Sequence, residues 1–170
     1  MCLTRYRSID SPIGLLTLAG EGECLTNLVM KDTAHPASIR GRWREDAAAF
    51  PGIVAQLAQY FAGERTGFDV VLRPAGTSFQ QRVWDALSEI PYGETRSYGA
   101  IARRIGQPGA ARAVGLANAR NPIAVIVPCH RVIGANGSLT GYAGGLQAKK
   151  ALLDLEARTR RHDARARDRE

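Results

Sequence analysis

The sequence predicts an α+β protein: a small N-terminal antiparallel sheet with a helix, then a mainly helical C-terminal domain that carries a helix-turn-helix and a cysteine site. Three observations lead there. Apolar and polar residues alternate over 6–18 and again over 25–30, the pattern of half-buried strands. Apolar residues then recur at helical spacing after Pro51, after Ser78 and after Leu146. Finally, two short helical stretches flank a turn at 106–109, the layout of a helix-turn-helix.

In chain order, the first alternating run breaks at Ser11-Pro12, and Gly20-Glu21-Gly22-Glu23 turns the chain into the second, giving a small antiparallel meander. Residues 31–45 are polar and irregular. Pro51 suits the first turn of a helix to Ala62, with Ile53, Val54, Leu57, Tyr60 and Phe61 on one face and Gly63 as the stop. Residues 68–72 read as a further strand. Pro74 and Gly76 punctuate a boundary at 73–77, which divides the chain into a supporting unit (1–75), a second domain (76–157) and a basic tail (158–170).

Beyond the boundary, Ser78 with Gln81 has the spacing of a capping box for a helix whose stripe is Phe79, Val83, Trp84, Leu87 and Ile90. Ser97 caps a helix to Ile105, and Ala110 opens the next, to about Ala119. That second helix is nearly all small residues, with Arg112 its one long side chain near the start. The run 123–127 is the length of a buried strand, stopped by Pro128. Cys129 and His130 follow at its mouth. Val132-Ile133 continues as a short strand, Asn136-Gly137 marks a turn, and a last helix runs to about Arg158 before a weakly patterned tail. Ala148, Leu152 and Leu155 face inward in that helix, which sets Glu156 beside a buried stripe where an unpaired carboxylate is costly.

Composition narrows the function. No stretch approaches the roughly 20 apolar residues of a membrane helix, and Cys2, Cys24 and Cys129 are too few and irregular for a disulfide framework. A cytoplasmic protein is expected. The net charge of +7 is uneven: residues 1–75 carry eight basic and eight acidic side chains, 76–156 nine and five, and 157–170 six and three. The second half is where a polyanion would bind.

Cysteine is a nucleophile only as thiolate, so Cys129 needs a base nearby. Asn121-Pro122, the apolar run, Pro-Cys-His-Arg-Val at 128–132 and Gly-Tyr-Ala-Gly-Gly at 141–145 together resemble the active-site segment of the O6-alkylguanine-DNA alkyltransferases. The resemblance is dense from 77 to 156 and looser before. It implies irreversible, single-turnover transfer of an alkyl group from an extruded O6-alkylguanine, and potentially O4-alkylthymine, to Cys129, with no cofactor. It further implies a relay of Glu156, His130 and a water that activates Cys129, with Asn121 holding the cysteine segment. Tyr98, Val132, Tyr142, Ala143 and Lys149 would contact the base; Ala143 stands where many members have serine. Thr95, Ser97, Tyr98, Ala110, Arg112 and Gly115 would meet double-stranded DNA through its minor groove, Arg112 filling the space of the flipped nucleotide. A monomer, able to assemble cooperatively on DNA, is expected.

Three other readings fit less well. A non-catalytic damage sensor of the same fold would lack the cysteine, and a transcription regulator would need a sensing domain for which 170 residues leave no room. Cys2, Cys24 and His35 are irregularly spaced for zinc, and no histidine between residues 36 and 129 completes a set, so no metal is expected.

Overall fold

A computed structural model of the chain describes residues 3–30 and 43–169; Cys2 and His35, and most of the stretch expected to be irregular, lie outside them. Strands β1 (Arg5–Ile9), β2 (Leu16–Glu21) and β3 (Cys24–Met30) form the expected antiparallel meander. A two-residue strand, β4 (Arg44–Glu45), joins it in parallel with β1, so the sheet order is β3-β2-β1-β4. Helix α1 (Pro51–Phe61) starts on its proline and buries Ile53, Leu57 and Tyr60.

Helix α2 (Ser78–Ser88) is capped one residue earlier than the sequence pattern predicts. Thr77 accepts from the Gln80 amide, and the Gln80 side chain accepts from the Thr77 amide. Gln81 instead donates to the Pro74 carbonyl. Two hydroxyls and two glutamines in succession satisfy the capping-box spacing in two registers. The register that buries Val83, Trp84 and Leu87 prevails. Trp84 Nε1 also donates to the Ala117 carbonyl at 2.9 Å, tying α2 to α4.

A two-residue strand β5 (Arg96–Ser97) leads into α3 (Tyr98–Arg104), which Ser97 caps; α4 (Ala111–Ala119) follows after the glycine turn. Strand β5 pairs in parallel with β6 (Val132–Ile133), so the entrance of the helix pair is hydrogen-bonded to the segment just after Cys129. Helix α5 spans Leu146–Arg167. It passes the end expected at Arg158 because residues 157–167 contain neither Gly nor Pro and are mostly Ala and Arg, strong helix formers.

Two expected strands are not strands. Residues 68–72 meet β3 at a single parallel bridge, Leu25 with Leu72, where the Leu25 amide donates to the Val71 carbonyl at 2.9 Å. Residues 123–127 likewise touch β3 only through Ile123 and Ala124, then turn, with Val125 at φ +71°. The turn is held by Asn121, whose Nδ2 donates to the carbonyls of Val127 and Ile123 while its Oδ1 accepts from the Ile123 amide. An apolar run specifies burial, and here a neighbouring side chain supplies the hydrogen bonds that a ladder would. Both segments cover the outer edge of β3, an edge that would otherwise expose unpaired backbone groups. No helix among the described residues is long and apolar enough to cross a membrane.

The cap register is testable. Thr77→Ala should lower unfolding free energy by about 1 kcal/mol, whereas Ser78→Ala should change it by less than about half that. Urea unfolding of the two variants distinguishes the registers.

Candidate active site

Pro128 ends the turn built on Asn121, and Cys129–Arg131 form a single 3-10 turn in which all three side chains are buried. Successive residues in so tight a turn splay apart. Cys129 and His130 therefore enter different surroundings.

Cys129 lines a cleft with Met30, Asn118, Asn121, Tyr142 and Ala143. Burial pushes its thiol pKa up, against the opposing pull of the Asn121 amide, the Lys149 charge and the Tyr142 hydroxyl. That hydroxyl faces the sulfur without making a hydrogen bond of good geometry to any group among the described residues. The cleft is narrow, with free volume of about 10 Å³, at the threshold for one water. Gly144 is needed where the loop meets β3, since a Cβ there would collide with the Met30 sulfur.

His130 lies in a buried polar cluster centred on Glu156, which is fully buried. The carboxylate receives five hydrogen bonds. Oε1 accepts from Tyr60 Oη (2.7 Å), His130 Nε2 (2.8 Å) and Arg131 Nη2 (2.8 Å); Oε2 accepts from Arg131 Nε (2.9 Å) and the Gly93 amide (3.2 Å). Arg131 spends its remaining Nη1 on the Ile90 carbonyl at 2.8 Å and lies over the Tyr92 ring. Burial alone would raise the carboxyl pKa, but the bonds and charges of His130 and Arg131 outweigh it and hold the group at about 2. Glu156 is an anion at neutral pH.

The imidazole behaves differently. Burial depresses the His130 pKa, and the charges of Arg131 and Lys149 add to that effect while Glu156 opposes it. The ring is neutral at neutral pH, and its Nε2 faces a carboxylate, so the proton sits on Nε2. Nδ1, which has no hydrogen-bond partner among the described residues, is left as a basic lone pair.

The remaining predicted residues are spread over three settings. Asn121, Tyr142 and Ala143 share the cleft with Cys129. Lys149 is buried and donates to the carbonyls of Val132 (2.5 Å) and Thr140 (2.8 Å); the Tyr98 hydroxyl donates to the same Thr140 carbonyl at 3.2 Å. These bonds tie α3, β6 and α5 to the loop that carries Tyr142. On the helix pair, Ser97 is an N-cap and Ala110 precedes the first turn of α4. Gly115 packs under the Tyr98 ring, its missing Cβ 3.7 Å from the ring edge. Thr95 and Arg112 are exposed, and Arg112 shares the outer face of α4 with Leu116, an apolar side chain 56% exposed.

Two family signatures divide the chain between them. The 6-O-methylguanine DNA methyltransferase "ribonuclease-like domain" matches residues 4–74, and the "DNA binding domain" of the same methyltransferase matches residues 78–158. The chain belongs to the 6-O-methylguanine DNA methyltransferase family. A methylated-DNA–protein-cysteine methyltransferase of Mycobacterium tuberculosis is 66% identical over 154 residues, covering 91% of this chain and 93% of the relative. One from Methanosarcina acetivorans is 56% identical, covering 89% and 97%. The crystal structure of Mycobacterium tuberculosis OGT in complex with DNA superposes with a TM-score of 0.87 at 64% identity, over 91% of this chain and 94% of that one.

Three residues of this methyltransferase-family site have no role assigned from the sequence. Arg131 stands inside the Pro-Cys-His-Arg-Val string, and a buried glutamate beside a histidine already implies that a cation must be near. Tyr60 reads as one more apolar position of α1, yet its hydroxyl crosses to Glu156. Asn118 lies on the buried side of α4 and donates from Nδ2 to the Cys129 carbonyl at 3.4 Å.

The cluster makes the stability of this family member pH-dependent. Both folded pKa values lie below their ordinary values, 6.5 for His130 and 4.5 for Glu156, so the stability they contribute is complete above those values and is lost on acidification. Denaturant unfolding should show stability falling first below pH 6.5 and then more steeply from pH 4.5 towards 2, the Glu156 part alone on the order of 3 kcal/mol. Stability unchanged between pH 7 and 3 would contradict the assignment.

Proposed function

We propose that this chain repairs alkylated DNA by moving the alkyl group from a base to its own Cys129. That it acts as a methylated-DNA–protein-cysteine methyltransferase is carried by its 66% identity to proteins of that name over most of its length. The observation that supports Cys129 as the acceptor is its place in a cleft just before a histidine held by a buried carboxylate.

The chemistry is a displacement at the alkyl carbon. Cys129 sulfur forms the new S–C bond as the O6–C bond of the guanine breaks and its electron pair stays with the base. The thiol, whose pKa is raised by burial, must lose its proton to attack. His130 Nδ1 accepts that proton through a water, and the imidazolium formed is stabilised by Glu156, whose charge and orientation are fixed by Arg131 and Tyr60. A general base of this kind contributes about 10²- to 10⁴-fold. The thioether has no easy hydrolytic exit, so each molecule reacts once and no cofactor is required.

A base inside a duplex is out of reach of a buried sulfur, so the nucleotide must be extruded. The small residues of α4 suit close approach to the minor groove, and the exposed Arg112 would fill the gap left in the stack. Tyr98 would contact the extruded nucleotide, and Tyr142 would pack on the base with the Ala143 amide towards O6. Because the cleft is too narrow for a base, the loop from Thr140 to Gly144 must shift to admit one. The N-terminal unit supports the site, through β3 and Tyr60.

The test is an intact mass after mixing the chain with duplex DNA holding one O6-methylguanine. One methyl per protein molecule should appear, mapping to Cys129, and Cys129→Ala should gain none while still binding DNA. Methylation of Cys2 or Cys24, or several turnovers per molecule, would refute the proposal.

A further inference from the structure

The outer face of α4 carries one large apolar side chain. Leu116 is 56% exposed, with Ala113 and Ala119 exposed beside it. Arg112 and Arg120 lie four residues before and after it, both exposed and neither ion-paired among the described residues. At 1.5 Å of rise per residue, each arginine stands about 6 Å along the helix from the leucine. A single exposed leucine is ordinary on a protein surface, but the setting of this one is not. Val114, Ala117 and Asn118 are buried on the opposite side of α4, where α2 and α3 pack. Leu116 stays outside that packing, and an alanine, the best helix former, would suit an exposed position of α4 better.

The neighbours decide what the leucine meets. One leucine and two methyl groups between cations fall far short of the several hundred Å² of apolar surface that marks a protein-binding patch. Guanidinium groups flanking an apolar centre instead match the minor groove of a duplex, whose phosphate rims are anionic while its walls are the apolar faces of deoxyribose. The groove is about 6 Å wide, so a helix approaches it closely only where its residues are small. Leu116 is the one apolar side chain on this face long enough to touch the walls. We infer that Leu116 is a DNA contact that seats between deoxyriboses of the minor groove, with Arg120 at the phosphate rim. This rests on the repair reading above, which brings α4 to the groove, and adds a part of the affinity that depends on apolar burial. Apolar contact displaces water and no counterions, so its contribution persists as salt weakens the phosphate contacts.

The experiment measures binding to an undamaged duplex, where no chemistry intervenes, by fluorescence anisotropy at a series of potassium chloride concentrations. Plotted as log affinity against log salt, Leu116→Ala should run parallel to the native line and about five- to tenfold below it. Arg120→Ala should instead flatten the slope by about one. Leu116→Met, which keeps the apolar bulk, should return most of the loss. Substitution at so exposed a position leaves the fold intact. An alanine line that overlays the native one, or a methionine variant as weak as the alanine variant, would overturn the assignment. So would a native chain that sediments as a dimer without DNA and an alanine variant that does not, since the leucine would then seat on a second copy. A native chain that binds no duplex at any salt would overturn the repair reading and this inference together; native binding and methyl transfer, both untouched by Leu116→Ala, would overturn the inference alone.

Discussion

A single buried carboxylate organises this molecule. Glu156 on α5 binds Tyr60 from α1, the Gly93 amide from the turn after α2, and both His130 and Arg131 from the turn after Cys129. An isolated carboxylate would be neutralised by burial of this degree. Here the permanent charge of Arg131 makes the anion tolerable, so the carboxylate keeps a fixed charge and a fixed position. Removing either partner would strand the other, a loss of about 3–5 kcal/mol for a buried pair. The cluster is therefore both a junction of the fold and the setting for His130.

The arginine changes how the imidazole works. A glutamate alone would favour a protonated histidine and, through it, a resting thiolate. With burial disfavouring a cation and Arg131 offsetting part of that charge, His130 rests neutral, and burial likewise keeps Cys129 a thiol. In the proposed reaction the proton moves only when the alkyl carbon is in place. A resting thiol is also less exposed to oxidation than a thiolate.

Much of this could be read from the chain, and the failures have physical causes. The meander, α1, the helix pair and the buried face of α5 follow from residue periodicity. The expected strand at 123–127 fails because apolar content reports burial and not backbone conformation; Asn121, two residues upstream, decides that. The end of α5 was placed too early because solvated arginines show no apolar stripe although they favour helix. At the site, Cys129, His130 and Glu156 stand out by residue type and setting. Tyr60 is separated from Glu156 by 96 positions, and local periodicity accounts for it fully as a core aromatic. Asn118 is similarly hidden, since which face of a short small-residue helix is buried depends on α2 and α3 packing against it.

The central claim is that burial, with Arg131 offsetting Glu156, holds His130 neutral while Glu156 keeps its proton on Nε2, leaving Nδ1 to accept the proton of Cys129. Nitrogen-15 chemical shifts of the His130 ring, recorded as a pH series on the unalkylated protein, test it most directly. The account predicts a protonated Nε2 and an unprotonated Nδ1 at pH 7, with the imidazolium appearing only below pH 6.5. An imidazolium at pH 7, or a ring protonated on Nδ1 alone, would contradict it.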